Sequence, residues 1–157
     1  MKGVITLIVS FIILNSVSAQ LKRPAPPQKK IKIDSLNLAC PVVNGIIKAT
    51  SDTTAYKGDM KVTIKTGKSD SLLMAPAEGK IDLVTTDENG RNEIVMHYYN
   101  YNLWFSGITK SLVKKNDTIK KGQPIAVINP GDEVELLLFD DEEPVDPKKH
   151  ISCKTEQ

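Results

Sequence analysis

Residues 134–147 read VELLLFDDEEPVDP, and the fold turns on how this stretch is read. Side chains alternate along an extended strand, so Val134, Leu136 and Leu138 share one face and Glu135, Leu137 and Phe139 the other. The apolar run is short, and four acids and then Pro144 stop it. Such a run predicts a strand buried on both faces near the centre of a sheet.

Working outward, residues 119–131 read IKKGQPIAVINPG, two short apolar pieces separated by lysine and glycine turns. Pro124 belongs at a strand start or on an edge, since it cannot donate to a ladder. Met60, Val62 and Ile64 alternate with Lys61, Thr63 and Lys65, which predicts a half-buried strand. Glu88-Asn89-Gly90 is a hairpin signal between residues 81–84 and the β-branched and aromatic run 94–99. Residues 103–108 form another apolar run. No stretch sustains a helical period. Short strands with frequent turns predict an all-β domain, a compact antiparallel β-sandwich or barrel.

The chain has 157 residues, enough for one domain. Residues 1–19 read as a signal peptide: Lys2, an apolar run over 4–14, and Val17-Ser18-Ala19 before Gln20. A membrane anchor is the rival reading, but the run is shorter than the roughly 20 residues that span a bilayer. Residues 20–35 hold three prolines and five basic residues, with almost nothing apolar before Ile31. They read as a flexible basic linker, either a solvated tether or a contact for anionic lipid or wall polymer. The folded domain is expected over 36–151, with a polar tail over 152–157 anchored at most by Ile151. The net charge of +2 and the scattered basic residues leave no nucleic-acid footprint. After export, Cys40 and Cys153 would enter an oxidising compartment. Two readings stay open for them: a disulfide joining the domain's ends, or one buried and one free thiol.

Four segments in this order resemble the LytM- or lysostaphin-like zinc peptidases. Residues 75–81 (APAEGKI) are similar to the family's AP-x-x-G-x-V. Residues 94–97 (IVMH) resemble its strand ending in histidine. Residues 112–126 (LVKKNDTIKKGQPIA) resemble its V-x-x-G-D-x-V-x-x-G-Q-x-I. Phe139, Asp140 and Val145-Asp146-Pro147 match the end of its His-x-His-Phe-Glu strand and the "vdP" beyond. The resemblance covers about residues 40–151 and implies a barrel-sandwich hybrid fold of the LytM type.

It also implies where a metal site would stand. The family binds zinc through an early His-x-x-x-Asp pair and the second histidine of His-x-His. The first of those histidines, and one from a Tyr-x-His-Leu segment, assist catalysis. Hydrolytic zinc needs about three protein ligands and an open position for water. Here the early pair falls on Met60 and Ile64, or on Tyr56 and Asp59 if the alignment is gapped. The Tyr-x-His-Leu histidine falls on Gly107, and the last two on Leu136 and Leu138. Only His97 and His150 occur in the whole chain. The pattern implies a fold that has exchanged imidazoles for apolar side chains, with no metal and no cofactor.

Three functions follow. The first is an exported, non-catalytic domain of the secreted or periplasmic envelope, binding peptidoglycan or a protein such as a cell-wall amidase. Its cleft is expected to be lined by aromatics, Tyr98, Tyr99, Tyr101, Trp104 and Phe105, with Tyr56 and His97 as further candidates. Membrane contact is expected only through an uncleaved signal or the basic linker. The second is an active zinc endopeptidase cutting peptidoglycan cross-bridges through Tyr56, Asp59 and His97. The third is a hybrid-motif adaptor or carrier, against which stand the missing Met-Lys-Met and the missing helical hairpins. The acids 140–143 are a solvated turn or a weak Ca²⁺ contact.

Overall fold

The computed structural model describes residues 30–48 and 61–156. The expected signal and most of the linker lie outside these residues, as do Tyr56, Asp59 and Met60.

The short strands β1 (Leu38–Ala39) and β2 (Ile46–Ile47) open the fold. Then come β3 (Lys61–Lys65), β4 (Leu72–Met74), β5 (Gly79–Thr86), β6 (Asn92–Tyr98) and β7 (Tyr101–Ile108). The strands β8 (Lys110–Ser111), β9 (Thr118–Ile119) and β10 (Pro124–Val127) follow. The long β11 (Glu133–Asp140) leads to β12 (Glu143–Val145), β13 (Ile151–Ser152) and β14 (Lys154–Thr155).

The large sheet runs β14-β2-β3-β11-β7-β6-β5-β9, and β12 takes the edge of β11 where β3 ends. A three-stranded sheet, β4-β10-β8, supplies the second layer. Neither sheet closes on itself, so the architecture is a sandwich rather than a barrel. Its buried side chains form one apolar cluster. Each fully buried leucine or isoleucine contributes roughly 1.5–3 kcal/mol.

As the alternation requires, Val134, Leu136 and Leu138 enter the core. The opposite face of β11 is only half-buried, which corrects the expectation of a strand buried on both sides. Among the described residues, the second layer covers one face of the large sheet and leaves the other open. At the β5–β6 hairpin, the Asp87 carboxylate accepts from the Asn89 and Arg91 N–H groups, and Gly90 takes φ +78°.

Both predicted domain boundaries move outward. Residues 30–35, read as linker, are attached: Ile31 donates its N–H to Asn100 Oδ1, and the Tyr101 hydroxyl donates to the Ile31 carbonyl. Ile31 and Ile33 pack against the core. Residues 152–156, read as tail, form pairings of their own. Ile151 sits opposite Leu38 in a parallel pair, and Lys154 opposite Ile46 in another. Cys40 and Cys153 are joined by a disulfide with Cα atoms 4.7 Å apart, which settles the open choice. Polar composition hides these contacts, because most are made by the backbone, a disulfide and residues distant in the chain.

Candidate functional site

Directly paired residues share a face, so the ladders sort every site position onto one side of the large sheet or the other. On the covered side, Leu136 stands between Val62 on β3 and Phe105 on β7, and Leu138 opposite Leu103. Ile64 pairs with Val134 on the same side. Ile64, Leu136 and Leu138 are each 0% exposed. These are the positions where the resemblance implies zinc ligands and a catalytic histidine, and they are core. They offer carbon only, with no oxygen, nitrogen or sulfur to meet a cation. A zinc ion does not fit them. Among the described residues no three of His, Cys, Asp and Glu come together as a metal site.

Gly107 departs further from the pattern. Its φ is +78°, and a Cβ there would lie 2.4 Å from the Glu133 carbonyl oxygen. The residue stands where the register between β6 and β7 shifts, between the pairs Asn92–Ile108 and Ile94–Phe105. No side chain can be carried there without moving β11, so the position is closed to any histidine.

His97 lies on the open side. It pairs with Lys80 and Asn102, and its Nδ1 is 3.0 Å from Asn102 Oδ1 and 3.9 Å from Asp82. The sheet separates it from Ile64, Leu136 and Leu138, so it completes no site with them.

The expected aromatic cleft does not form as one surface. Tyr101 and Phe105 are both 0% exposed and belong to the core. Burial pushes the Tyr101 phenol above its ordinary value. That removes Tyr101 from the binding candidates. Tyr98 and Tyr99 meet edge to face at the β6–β7 turn, centroids 4.8 Å apart, and Tyr99 takes φ 55° there. Trp104 alone of the five points to the open face from mid-strand. Alternation put Trp104 and Phe105 on opposite sides from the start; only the pairing partners reveal which side is covered.

The same registers expose a feature that strand-by-strand reading missed. Leu83 on β5, Val95 on β6, Trp104 on β7 and Leu137 on β11 are consecutive cross-strand partners and form an apolar row across four strands. Leu83 is 40% exposed, and the others are half-buried. One side of the row carries His97, Asn102 and Phe139; the other carries Ser106 and Glu135, the latter held by Lys61 at 2.7 Å. A wide apolar strip with polar margins suits a sugar ring or a peptide.

The acid cluster is engaged with the chain itself. Asn100 is buried and donates to Asp140, while Asp141 pairs with Lys30 and donates its N–H to the Asn100 carbonyl.

No family model matches the chain, and no curated protein matches it. Solved structures do. Csd3 of Helicobacter pylori aligns with TM-score 0.60 at 18% identity, over 74% of this chain and 33% of that one. An M23 peptidase from Pseudomonas aeruginosa, described as putative, aligns with TM-score 0.59 at 20% identity, over 74% of this chain and 50% of the other. A chain of the SpoIIQ–SpoIIIAH pore-forming complex aligns with TM-score 0.56 at 16% identity, over 74% of this chain and 91% of that one. This chain therefore spans half or less of the first two.

Proposed function

From the fold of the LytM-type zinc peptidases, which this chain has, we propose a non-catalytic domain that acts in the cell envelope by binding rather than cutting. The carrying observation is the complete burial of Ile64, Leu136 and Leu138. Three apolar side chains occupy the positions from which the fold would present two zinc ligands and a catalytic histidine to water. Gly107 adds a position where no catalytic side chain fits.

The binding surface in this reading is the open face, with Trp104 at its centre and His97 and Asn102 beside it. Tryptophan gives large contact area at low entropic cost and often dominates interface energetics. The partner is peptidoglycan or an envelope protein such as a cell-wall amidase. A partnered role has a parallel in the SpoIIQ–SpoIIIAH complex, one chain of which is matched over most of its length. The Cys40–Cys153 bridge suits an exported protein, because disulfides persist in oxidising compartments.

Two measurements test this. Zinc content of refolded protein washed free of metal is expected to be far below stoichiometric; near-stoichiometric zinc together with wall-clearing activity overturns the reading. Capture of wall fragments or amidases from an envelope extract is expected to fall at least tenfold in Trp104→Ala, with the thermal midpoint nearly unchanged. Equal capture by the two proteins removes the open face from the proposal.

A further inference from the structure

Among the described residues, one set of lysines is ion-paired and another, clustered in sequence, is not. In one, Lys61, Lys65 and Lys149 pair with Glu135, Glu156 and Asp146, and Lys30 and Lys48 pair with Asp141 and Glu133. In the other, Lys110, Lys114, Lys115, Lys120 and Lys121 are all exposed, and none has an ion-pair partner among the described residues. These five fall within thirteen residues, 109–121, whose one acid is Asp117. That acid is used as a turn cap, accepting from the Lys114 N–H.

The framework beneath them is fixed. Lys110 pairs with Val127 on β10, and the Leu112 N–H donates to the Ile125 carbonyl. The Asn116 N–H donates to Ile81, and the Gly122 N–H to Ala75. Nearby acids are Glu78, Asp82, which lies beside His97, and Glu93 on β6, the strand that β8 touches. The edge is therefore rigid, cationic and largely unneutralised in a chain whose overall charge is only +2.

Residues 110–114 alternate. Ser111 and Val113 turn inward, the latter against the core, while Lys110, Leu112 and Lys114 turn outward. Leu112 is 47% exposed between two lysines. A soluble polyanion would engage the lysines and leave this leucine in water. A bilayer takes both, the leucine at the acyl boundary and the ammonium groups at the headgroups.

We propose that this surface, built from β8 at the end of the three-stranded sheet, β9 at the end of the large sheet and the turns that flank them, is a docking surface for an anionic lipid bilayer. It extends membrane contact from the N-terminal segments to the folded domain, and it is independent of the open face and of Trp104.

The test is binding of the full chain to phosphatidylcholine vesicles with and without phosphatidylglycerol. A variant with Lys110, Lys114, Lys115 and Lys121 all changed to Gln is measured alongside. Both proteins carry the same residues 1–35, so the difference reports the edge alone. The wild type is expected to prefer phosphatidylglycerol vesicles and to lose that preference in high salt. Each lysine accounts for about fivefold, so the variant, which lacks four, is expected to bind on the order of several hundredfold more weakly. All four side chains are exposed, and an unchanged thermal midpoint verifies folding. Leu112→Ser is expected to weaken vesicle binding severalfold and to leave binding of soluble polyphosphate unchanged. Equal vesicle binding by wild type and lysine variant overturns the proposal. Tight polyphosphate binding with no effect of Leu112→Ser on vesicles reassigns the edge to a soluble polymer and overturns the bilayer.

Discussion

Leu136 sits directly across the ladder from Phe105, and both are wholly out of water. The pair joins β11 to β7 through the middle of the large sheet. A histidine here would place an imidazole between Phe105 and Val62 with no partner to bond.

Leu136→His and Leu138→His should each destabilise the domain by about 3–5 kcal/mol. The figure combines the lost burial of leucine with the cost of burying an unpaired polar ring. Urea unfolding measures it. Neither single substitution should gain zinc, because the neighbouring positions remain carbon; a variant stabilised by zinc would contradict the core assignment.

Gly107→Ala should cost at least about 2 kcal/mol. It forces an alanine to φ +78° and drives its Cβ into the Glu133 carbonyl. Gly90→Ala is the control, with φ +78° but nothing within 4 Å, and should cost about 1 kcal/mol. Equal losses at the two sites would show that the close approach to β11 contributes nothing.

Reducing the Cys40–Cys153 bridge, or replacing both cysteines with alanine, should lower stability by roughly 2–5 kcal/mol. The bridge spans 113 residues and holds β1 and β2 beside the last strands. Hydrogen exchange should show Leu38 and Thr155 losing protection first, because those two-residue pairings have few hydrogen bonds of their own.

Asn100→Ala should destabilise by about 1–3 kcal/mol, since it leaves the Ile31 N–H without its acceptor and removes a donor to Asp140. Faster exchange at Ile31 is the readout. The Tyr101 hydroxyl holds the same residue and adds a pH dependence. Its folded value is raised above 10.0, so its contribution is complete below pH 10 and is lost as pH rises beyond that. Exchange at Ile31 should accelerate at alkaline pH in the wild type, and Tyr101→Phe should show the faster rate already at neutral pH.

Much of the strand layout was legible without coordinates. Alternation in residues 61–65 and 134–139, Asn89-Gly90 and Pro124 each act within a few residues of themselves, and β3, β11, the β5–β6 hairpin and the start of β10 sit where they indicate. The polar ends are not legible for a physical reason: residues 30–35 are held by two isoleucines and by side chains 69 and 70 residues beyond Ile31, and 152–156 by backbone pairings and one disulfide, none of which leaves a periodic apolar pattern. Tyr101 was misassigned because aromatic content says nothing about which face of a strand is covered.

By itself the sequence determined the chemistry that is missing: with only His97 and His150, no alignment can assemble the histidines that the resemblance requires. It also determined the two faces of every strand, since alternation is a property of the extended backbone. Only the tertiary structure decided that Ile64, Leu136 and Leu138 lie beneath a second layer while Trp104 and Leu137 remain open, because cross-strand register and sheet stacking arise between residues far apart in the chain.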